Sequence, residues 1–220
     1  MPANRVVAFI RTPVGFGSIL LAITTFFVGF AMAAQQNIVS NYFEFEIGLK
    51  GPQFGYITAI REVPGFLLIF VSAAFYRLSL ARLTFLALLV LAIGYGGFGL
   101  STSFWSVTPW VILSSVGYHT WLQTQSALGL TLTTEQRSGF ILGRISPINQ
   151  AGALIAMMAV FVLFQFDVLS YTGTFVICGL AALIGAIAIF RFPIFIIGRN
   201  RQSRWLVHAW SSSANTDFTT

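Results

Sequence analysis

Charged residues are scarce in this chain of 220 residues, and most of the chain is apolar. Asp, Glu, Lys and Arg together make up 8% of the residues, whereas 56% are hydrophobic and the mean hydropathy is +0.83. An average soluble domain has about a quarter of its residues charged, because its surface faces water. The composition therefore excludes an ordinary soluble domain and indicates an integral membrane protein.

Cysteine and histidine are scarcer still. The single cysteine, Cys178, excludes an intrachain disulfide and a cysteine-based metal site. The two histidines, His119 and His208, are too few for a typical metal or haem site. The sequence also lacks the Gly-x-Ser-x-Gly and His-Glu-x-x-His patterns and a phosphate-binding loop. We therefore predict no metal, no cofactor and no enzymatic activity.

What the sequence does contain is a series of six long apolar runs, at residues 14–36, 52–76, 80–100, 105–130, 144–166 and 169–190. Each has roughly the 20 residues that a helix needs to cross the hydrocarbon core, where backbone groups must bond within the helix. We predict an all-α membrane protein with six transmembrane helices in one domain, residues 14–192. The first run is too long for a cleaved signal peptide. Residues 1–13 and the basic, polar tail 193–220, partly disordered, should flank the domain.

The basic residues fall almost entirely on one side of these runs. Of the 12 Lys and Arg, ten lie before the first run, between the second and third, around the link between the fourth and fifth, or after the sixth. The opposite connections carry Lys50 with Glu44, Glu46 and Asp167. This pattern predicts a multi-pass protein of the plasma (inner) membrane with both termini in the cytoplasm. We assign the net charge of +6 to topology and to anionic lipids, and we expect no nucleic-acid partner.

One basic residue, Arg61, lies inside the second run, next to Glu62 and about ten residues from the start of that run. Charges near the bilayer centre cost at least ~2.5–3.5 kcal/mol each, so they face a protein interior or water. We predict that both side chains belong to a solute or proton pathway. Pro64 removes a backbone donor beside them, which makes Pro64 and Gly65 candidates for a hinge.

Two other runs carry polar side chains at a comparable depth. His119 and Gln123 are four residues apart, so they share one face of a helix. Asn149 and Gln150 follow Pro147, a further hinge candidate, in the fifth run. We predict that these four side chains converge with the charged pair on the same pathway. The alternative is that the amide groups only hydrogen-bond one helix to another.

The remaining features concern packing and connections. The third run ends in Gly94, Gly96, Gly97 and Gly99, and small residues let helices approach closely, so this face should pack against another span. The polar residues 37–51 should form a loop outside the membrane. The polar link 131–143 should lie in the cytoplasm and has room for a short helix along the membrane surface.

Six spans with both ends inside, a long first outer loop and a longer link between the fourth and fifth spans resemble the N-terminal half of a major facilitator superfamily transporter. Residues 55–66 (GYITAIREVPGF) and 139–152 are similar to a bacterial branch of that family, whose second helix carries Arg-Glu-x-Pro-Gly-Phe. The likeness covers residues 14–192. In the signature loop of the family, here residues 75–82, Arg77 and Arg82 keep basic positions, but Tyr76 replaces the acidic residue.

The resemblance implies a secondary transporter that moves a small solute by alternating access, with the solute held between two six-helix halves. It implies that Glu62 carries protons and that Arg61 attracts an anionic group or neutralises Glu62. The sequence supplies one half, so we expect either a product that lacks its second half or a half that pairs with itself or another chain. The competing hypothesis is a membrane scaffold that transports nothing and uses its glycine face and phenylalanine-rich surfaces to bind other proteins.

Overall fold

The computed structural model describes residues 12–68, 70, 75, 77–133, 136 and 138–193, so most of the predicted flanking segments lies outside the described residues. The described part contains six α-helices: α1 Pro13–Asn41, α2 Gly51–Phe66, α3 Leu80–Gly97, α4 Phe104–Thr131, α5 Ser138–Gln165 and α6 Tyr171–Phe190. A π-helical turn, Tyr42–Glu46, continues α1, and a 3-10 turn, Phe98–Leu100, continues α3. These residues include no strand, which confirms the predicted all-α class.

Four helical segments are long and apolar enough to cross a membrane: Pro13–Glu46, Leu80–Leu100, Ser138–Gln165 and Tyr171–Phe190. They correspond to the first, third, fifth and sixth predicted spans. The described part of α2 has 16 residues and contains Arg61 and Glu62. The 28 residues of α4 include several Ser, Thr and Gln side chains and His119. These two helices carry four of the six side chains of the predicted pathway, Arg61, Glu62, His119 and Gln123, whereas Asn149 and Gln150 lie on α5.

Four of the helices begin at a side-chain hydroxyl. The hydroxyl oxygens of Thr12, Ser79, Ser103 and Ser170 accept a hydrogen bond from a backbone N–H in the first turns of α1, α3, α4 and α6. Such caps satisfy donors that the helix itself cannot, and each contributes about 1 kcal/mol. The caps explain why these helices begin within two residues of the predicted starts.

The connection predicted at residues 37–51 is mostly helical, and that prediction was wrong. Helix α1 runs to Asn41 and the π-helical turn continues to Glu46, which leaves residues 47–50 as the loop. Tyr42 and Phe43 are buried, and the Tyr42 hydroxyl donates to the carbonyl oxygens of Phe98 at 2.7 Å and Ser101 at 2.9 Å. Packing of the aromatic rings against α3 thus extends the helix past the end of the apolar run.

The surface helix suggested for the link 131–143 is also absent from the described residues. Residues 138–143 belong to α5, which begins at Ser138 instead of residue 144. A Cβ added to Gly129 of α4 would lie 3.0 Å from Cδ1 of Ile145 and 3.5 Å from Cγ2 of Ile141. The apolar contact between the end of α4 and the first turns of α5 accounts for this longer helix.

The helices pack side by side in the order α2, α4, α3, α6, α1, α5, with a smaller contact between α4 and α5. Glycines allow the close approaches, and the predicted packing of the glycine-rich end of α3 is confirmed. A Cβ added to Gly94 would lie 2.5 Å from the backbone nitrogen of Ser114 in α4. A Cβ added to Gly99 would lie 2.7 Å from Cγ2 of Thr172 in α6. Gly94 and Gly99 of this face are therefore covered within the chain, whereas a Cβ added to Gly96 would meet nothing within 4 Å.

The two ends of the bundle differ in charge. One end, which we call the basic end, carries Arg77, Arg82, Arg144 and Arg191. The opposite end, the acidic end, carries Glu44, Glu46, Asp167 and Lys50. Contacts between aromatic rings connect helices at each end. The ring centroids of Phe85 and Phe190 are 4.9 Å apart at the basic end, and those of Tyr42 and Tyr171 are 5.8 Å apart at the acidic end.

The two hydrogen bonds of Tyr42 give a first prediction. We expect Tyr42→Phe to lower the free energy of unfolding by about 1–2 kcal/mol, because two carbonyl groups lose a buried donor. Thermal unfolding of the detergent-solubilised protein, followed by tryptophan fluorescence, measures the effect. Tyr56→Phe removes the same hydroxyl from a residue that is 63% exposed and should leave Tm unchanged. Equal Tm values for the two variants would contradict the anchoring role of Tyr42.

Candidate functional site

A cavity of ≈ 300 Å³ lies between α1, α2, α3 and α4. Its outer part, toward the acidic end, is lined by residues that include Ser40 and Phe54. Its deep part, near the middle of the bundle, is lined by Arg61, Glu62 and His119. Three of the six predicted pathway residues therefore meet in one cavity.

Helix α2 is positioned mainly by α4. The Ser115 hydroxyl donates to the backbone carbonyl of Arg61. Four residues further along both helices, a Cβ added to Gly65 would lie 3.1 Å from Cε1 of His119. Both contacts advance in the same direction, so α2 and α4 run parallel, and the spacing of four residues puts Ser115 and His119 on one face of α4. The missing side chain at Gly65 leaves space for the imidazole ring beside α2.

The charged side chains form a continuous chain of contacts. Arg61 Nε donates to Glu62 Oε1 at 3.1 Å, and Glu62 Oε2 lies 3.7 Å from His119 Nε2. Adjacent residues of a helix point about 100° apart, so this pairing depends on the length of the two side chains. Arg61 and Glu62 are each 49% exposed, and His119 is 20% exposed. The ion pair is thus open to the cavity on one side.

The predicted hinge lies directly beside this ion pair. Pro64 is buried in α2, and the helix ends two residues later at Phe66. The Leu67 N–H donates to the Val63 carbonyl at 3.2 Å and closes the last turn. Proline has no N–H to donate, so the backbone of α2 is weakest between the charged pair and the end of the helix. Motion at this hinge remains a prediction.

Asn149 connects two helices and does not line the cavity. Its Nδ2 donates to the Thr25 carbonyl of α1 at 3.5 Å, and its backbone lies against Gly29. One turn further along α5, Gly152 lies against the backbone of Phe26. The two glycines allow α1 and α5 to approach closely at this crossing. Asn149 therefore fits the alternative in which an amide hydrogen-bonds one helix to another.

The other sequence-predicted residues lie on the surface of the described bundle. Gln123 is exposed on α4, one turn beyond His119, and Gln150 and Pro147 are exposed on α5. Arg77 and Arg82 are exposed at the basic end; Arg77 precedes α3, whereas Arg82 lies in the first turn of α3 and not in the loop predicted for it. None of these five residues lines the cavity.

Several polar side chains that line the cavity were missed by the sequence reasoning: Gln35, Thr58, Tyr95, Ser115 and Tyr118. The sequence did carry a signal for two of these residues, Ser115 and Thr58. Ser115 precedes His119 by four residues and Thr58 precedes Glu62 by four residues, so each pair shares one face of a helix. Gln35 and Tyr95 lie near the ends of their apolar runs, where polar residues are ordinary and give no such signal.

No family model matches this chain, and none of the curated proteins matches it.

Exposed polar side chains beyond the first turn occur on four helices of the described part. On α3 with its 3-10 turn and on α6, the exposed residues beyond the first turn are apolar: Leu86, Ile93, Leu100, Val176, Leu180, Ile184, Ile187 and Phe190. The other four helices expose polar side chains, which together we call the polar face: Gln36, Thr58, Arg61, Glu62, Gln123, Ser126, Ser146 and Gln150. Lipid solvates apolar groups only, so α3 and α6 suit contact with lipid, and the polar face suits contact with water or protein.

Proposed function

We propose that this chain is a six-helix half of a secondary transporter of the major facilitator type, which moves a small solute across the membrane by alternating access. One observation carries the proposal: an apolar bundle contains a cavity with Arg61 and Glu62 in its deep part. Charges at that depth are expensive unless water or a solute reaches them. Both side chains are 49% exposed, and the cavity provides the access.

The distribution of exposed residues supports the same proposal. In transporters of this type, the solute lies at mid-membrane between two halves related by an axis along the membrane normal. The polar face on α1, α2, α4 and α5 is the side that a second half would cover, whereas α3 and α6 would face lipid. A second copy of this chain would satisfy that symmetry, because two copies insert in the same direction.

The proposal includes six spans, with the basic end in the cytoplasm of the plasma membrane. At 1.5 Å per residue, the 28 residues of α4 extend about 40 Å, more than the ~30 Å hydrocarbon core. The polar residues of α4 would then face the cavity and the second half instead of lipid. In this proposal Glu62 carries the proton, Arg61 holds the solute, and His119 donates or accepts a hydrogen bond beside them.

Cysteine accessibility tests the proposal. The native thiol of Cys178 is fully buried, so Cys178→Ala gives a clean background for single introduced cysteines. We expect Thr58→Cys and Gln123→Cys to react with a charged, membrane-impermeant thiol reagent at least about tenfold faster than Ile93→Cys and Ile184→Cys, because a charged reagent does not enter hydrocarbon. Alternating access further predicts that Thr58→Cys reacts from the acidic end and Gln123→Cys from the basic end.

The scaffold hypothesis predicts a different outcome. Of the residues in α5, Gly152 and Ala156 are buried, and large apolar side chains such as Phe161 and Met158 are 66% exposed, so this helix offers a partner in the membrane a broad apolar surface. A permanent partner would cover the polar face as well. Uniformly slow reaction at all four cysteines, together with co-purification of another membrane protein, would favour the scaffold and overturn the transporter.

A further inference from the structure

The deep part of the cavity presents two opposite charges with unused hydrogen-bonding capacity. Arg61 contacts Glu62 through Nε, and its two terminal amino groups have no hydrogen-bond partner among the described residues. Glu62 Oε2 lies 3.7 Å from His119 Nε2, beyond hydrogen-bond distance. A guanidinium group has five N–H donors and a carboxylate has about four acceptor sites, so each group keeps a free edge.

Two further side chains present polar groups to the cavity. Gln35 is 8% exposed, lines the cavity and makes no side-chain hydrogen bond within the described part of the chain. Tyr95 is 5% exposed and also lines the cavity, and its hydroxyl likewise makes no hydrogen bond within the described part of the chain. Both groups line the open cavity, so their hydrogen-bond partner is whatever fills it. The partner is either water or a polar solute.

The charges favour a solute that has no net charge but carries charges of both signs. Arg61 and Glu62 cancel, so a solute with a single charge would leave one charge of the site uncompensated. A zwitterion keeps the balance, since its anionic group binds Arg61 and its cationic group binds Glu62. The two protein groups are 3.1 Å apart, so the charges of the ligand must also lie close together, as the ammonium and carboxylate of an α-amino acid do.

The size and the remaining walls of the cavity define the rest of the solute. A volume of ≈ 300 Å³ is at the lower end of the range for small-molecule sites. Met32, Val39, Phe54 and Ile57 line the part toward the acidic end and suit an apolar side chain. We propose, on the basis of the transporter function above, that the cavity binds a small apolar α-amino acid, with its carboxylate on Arg61 and its ammonium on Glu62.

Three probes that share the same isobutyl group test the inference on the purified full-length chain in nanodiscs. Leucine is the zwitterion, 4-methylpentanoate lacks the ammonium group, and 3-methylbutylamine lacks the carboxylate. We expect leucine to bind at least about tenfold more tightly than either analogue in isothermal titration calorimetry, because each analogue loses one charged hydrogen bond. Leucine should also raise Tm, as any ligand of the folded state does.

Matched variants locate the binding. Arg61→Ala, Glu62→Gln and Gln35→Leu should each weaken leucine binding by about tenfold or more. The control variants make the same chemical changes away from the cavity, at exposed positions: Arg191→Ala, Glu46→Gln and Gln165→Leu. The controls should bind leucine as the unmodified chain does. The Tm of each variant without ligand shows whether it is folded.

The outcomes separate this inference from the proposed function. Tighter binding of 4-methylpentanoate or 3-methylbutylamine, dependent on Arg61 or Glu62, would overturn the amino-acid assignment and leave the transporter standing. If no probe binds but Thr58→Cys reacts with the aqueous thiol reagent, the amino-acid assignment is likewise overturned and the transporter proposal stands. If no probe binds and Thr58→Cys is unreactive, both proposals fail.

Discussion

Gly94→Ala should destabilise the bundle strongly, whereas Gly96→Ala, two residues further along α3, should not destabilise it. A Cβ added to Gly94 would lie 2.5 Å from the backbone nitrogen of Ser114 and 2.7 Å from its Cα. Backbone atoms cannot rotate away, so α3 and α4 must move apart. A Cβ added to Gly96 meets nothing within 4 Å. Overpacking of this kind costs about 1–3 kcal/mol, which lowers Tm by roughly 2–10 °C in a protein of this size.

Thermal unfolding in detergent, with size-exclusion chromatography to detect aggregation, measures this difference. The two variants add the same methyl group to the same helix, so any change in helix propensity is shared and cancels in the comparison. If Gly94→Ala and Gly96→Ala unfold at the same temperature, α3 and α4 are further apart at Ser114 than the structure places them.

The large effect expected at Gly94 follows from how helices associate in a membrane. Lipid chains are as apolar as leucine, so burying apolar groups between helices gains little, and close packing at small residues replaces it. Gly117 of α4 lies against α3 at Leu91, and Gly179 of α6 lies against α3 at Ala92. Three glycines on three helices therefore hold α3 at the centre of the bundle. The α3–α4 wall of the cavity is correspondingly tight, whereas α2 rests mainly on α4 alone.

Helix positions were predictable where a local signal ends an apolar run. The third run was predicted at residues 80–100, and the structure has α3 and its 3-10 turn over Leu80–Leu100, with Ser79 as the cap. The end of α1 and the start of α5 were not predictable in this way. They depend on Tyr42 packing against α3 and on Ile145 packing against α4, and such contacts between distant residues leave no periodic pattern in the sequence.

The site was predictable only in part for a similar reason. The cost of burying charge identifies Arg61 and Glu62 from sequence, and helix periodicity identifies residues that share one face. Periodicity does not show which neighbouring helix that face meets. Gly29 and Gly152 bring α1 and α5 together around Asn149, which is why that amide lies between helices and not in the cavity. The role of Gly29 becomes visible only when α5 is in place.

Arg61→Ala and Glu62→Gln should each reduce solute uptake by about 30- to 150-fold. Either change leaves the other side chain without its partner, and removing one member of a charge pair at a binding site costs about 2–5 kcal/mol. Both side chains are 49% exposed, so water lowers the cost to about 2–3 kcal/mol. Because each 1.4 kcal/mol changes binding tenfold, this cost corresponds to the expected reduction in uptake. The measurement is uptake into proteoliposomes of radiolabelled leucine and, in parallel, of 4-methylpentanoate and 3-methylbutylamine.

The double variant Arg61→Ala/Glu62→Gln distinguishes a functional pair from a structural one. Each single variant leaves one uncompensated charge within the bundle and should lower Tm, whereas the double variant leaves none and should recover it. Uptake should stay low in the double variant, because both contacts with the solute are gone. Normal uptake in a folded single variant would remove that residue from the mechanism. Recovery of uptake together with Tm in the double variant would show that the ion pair only stabilises the contact between α2 and α4.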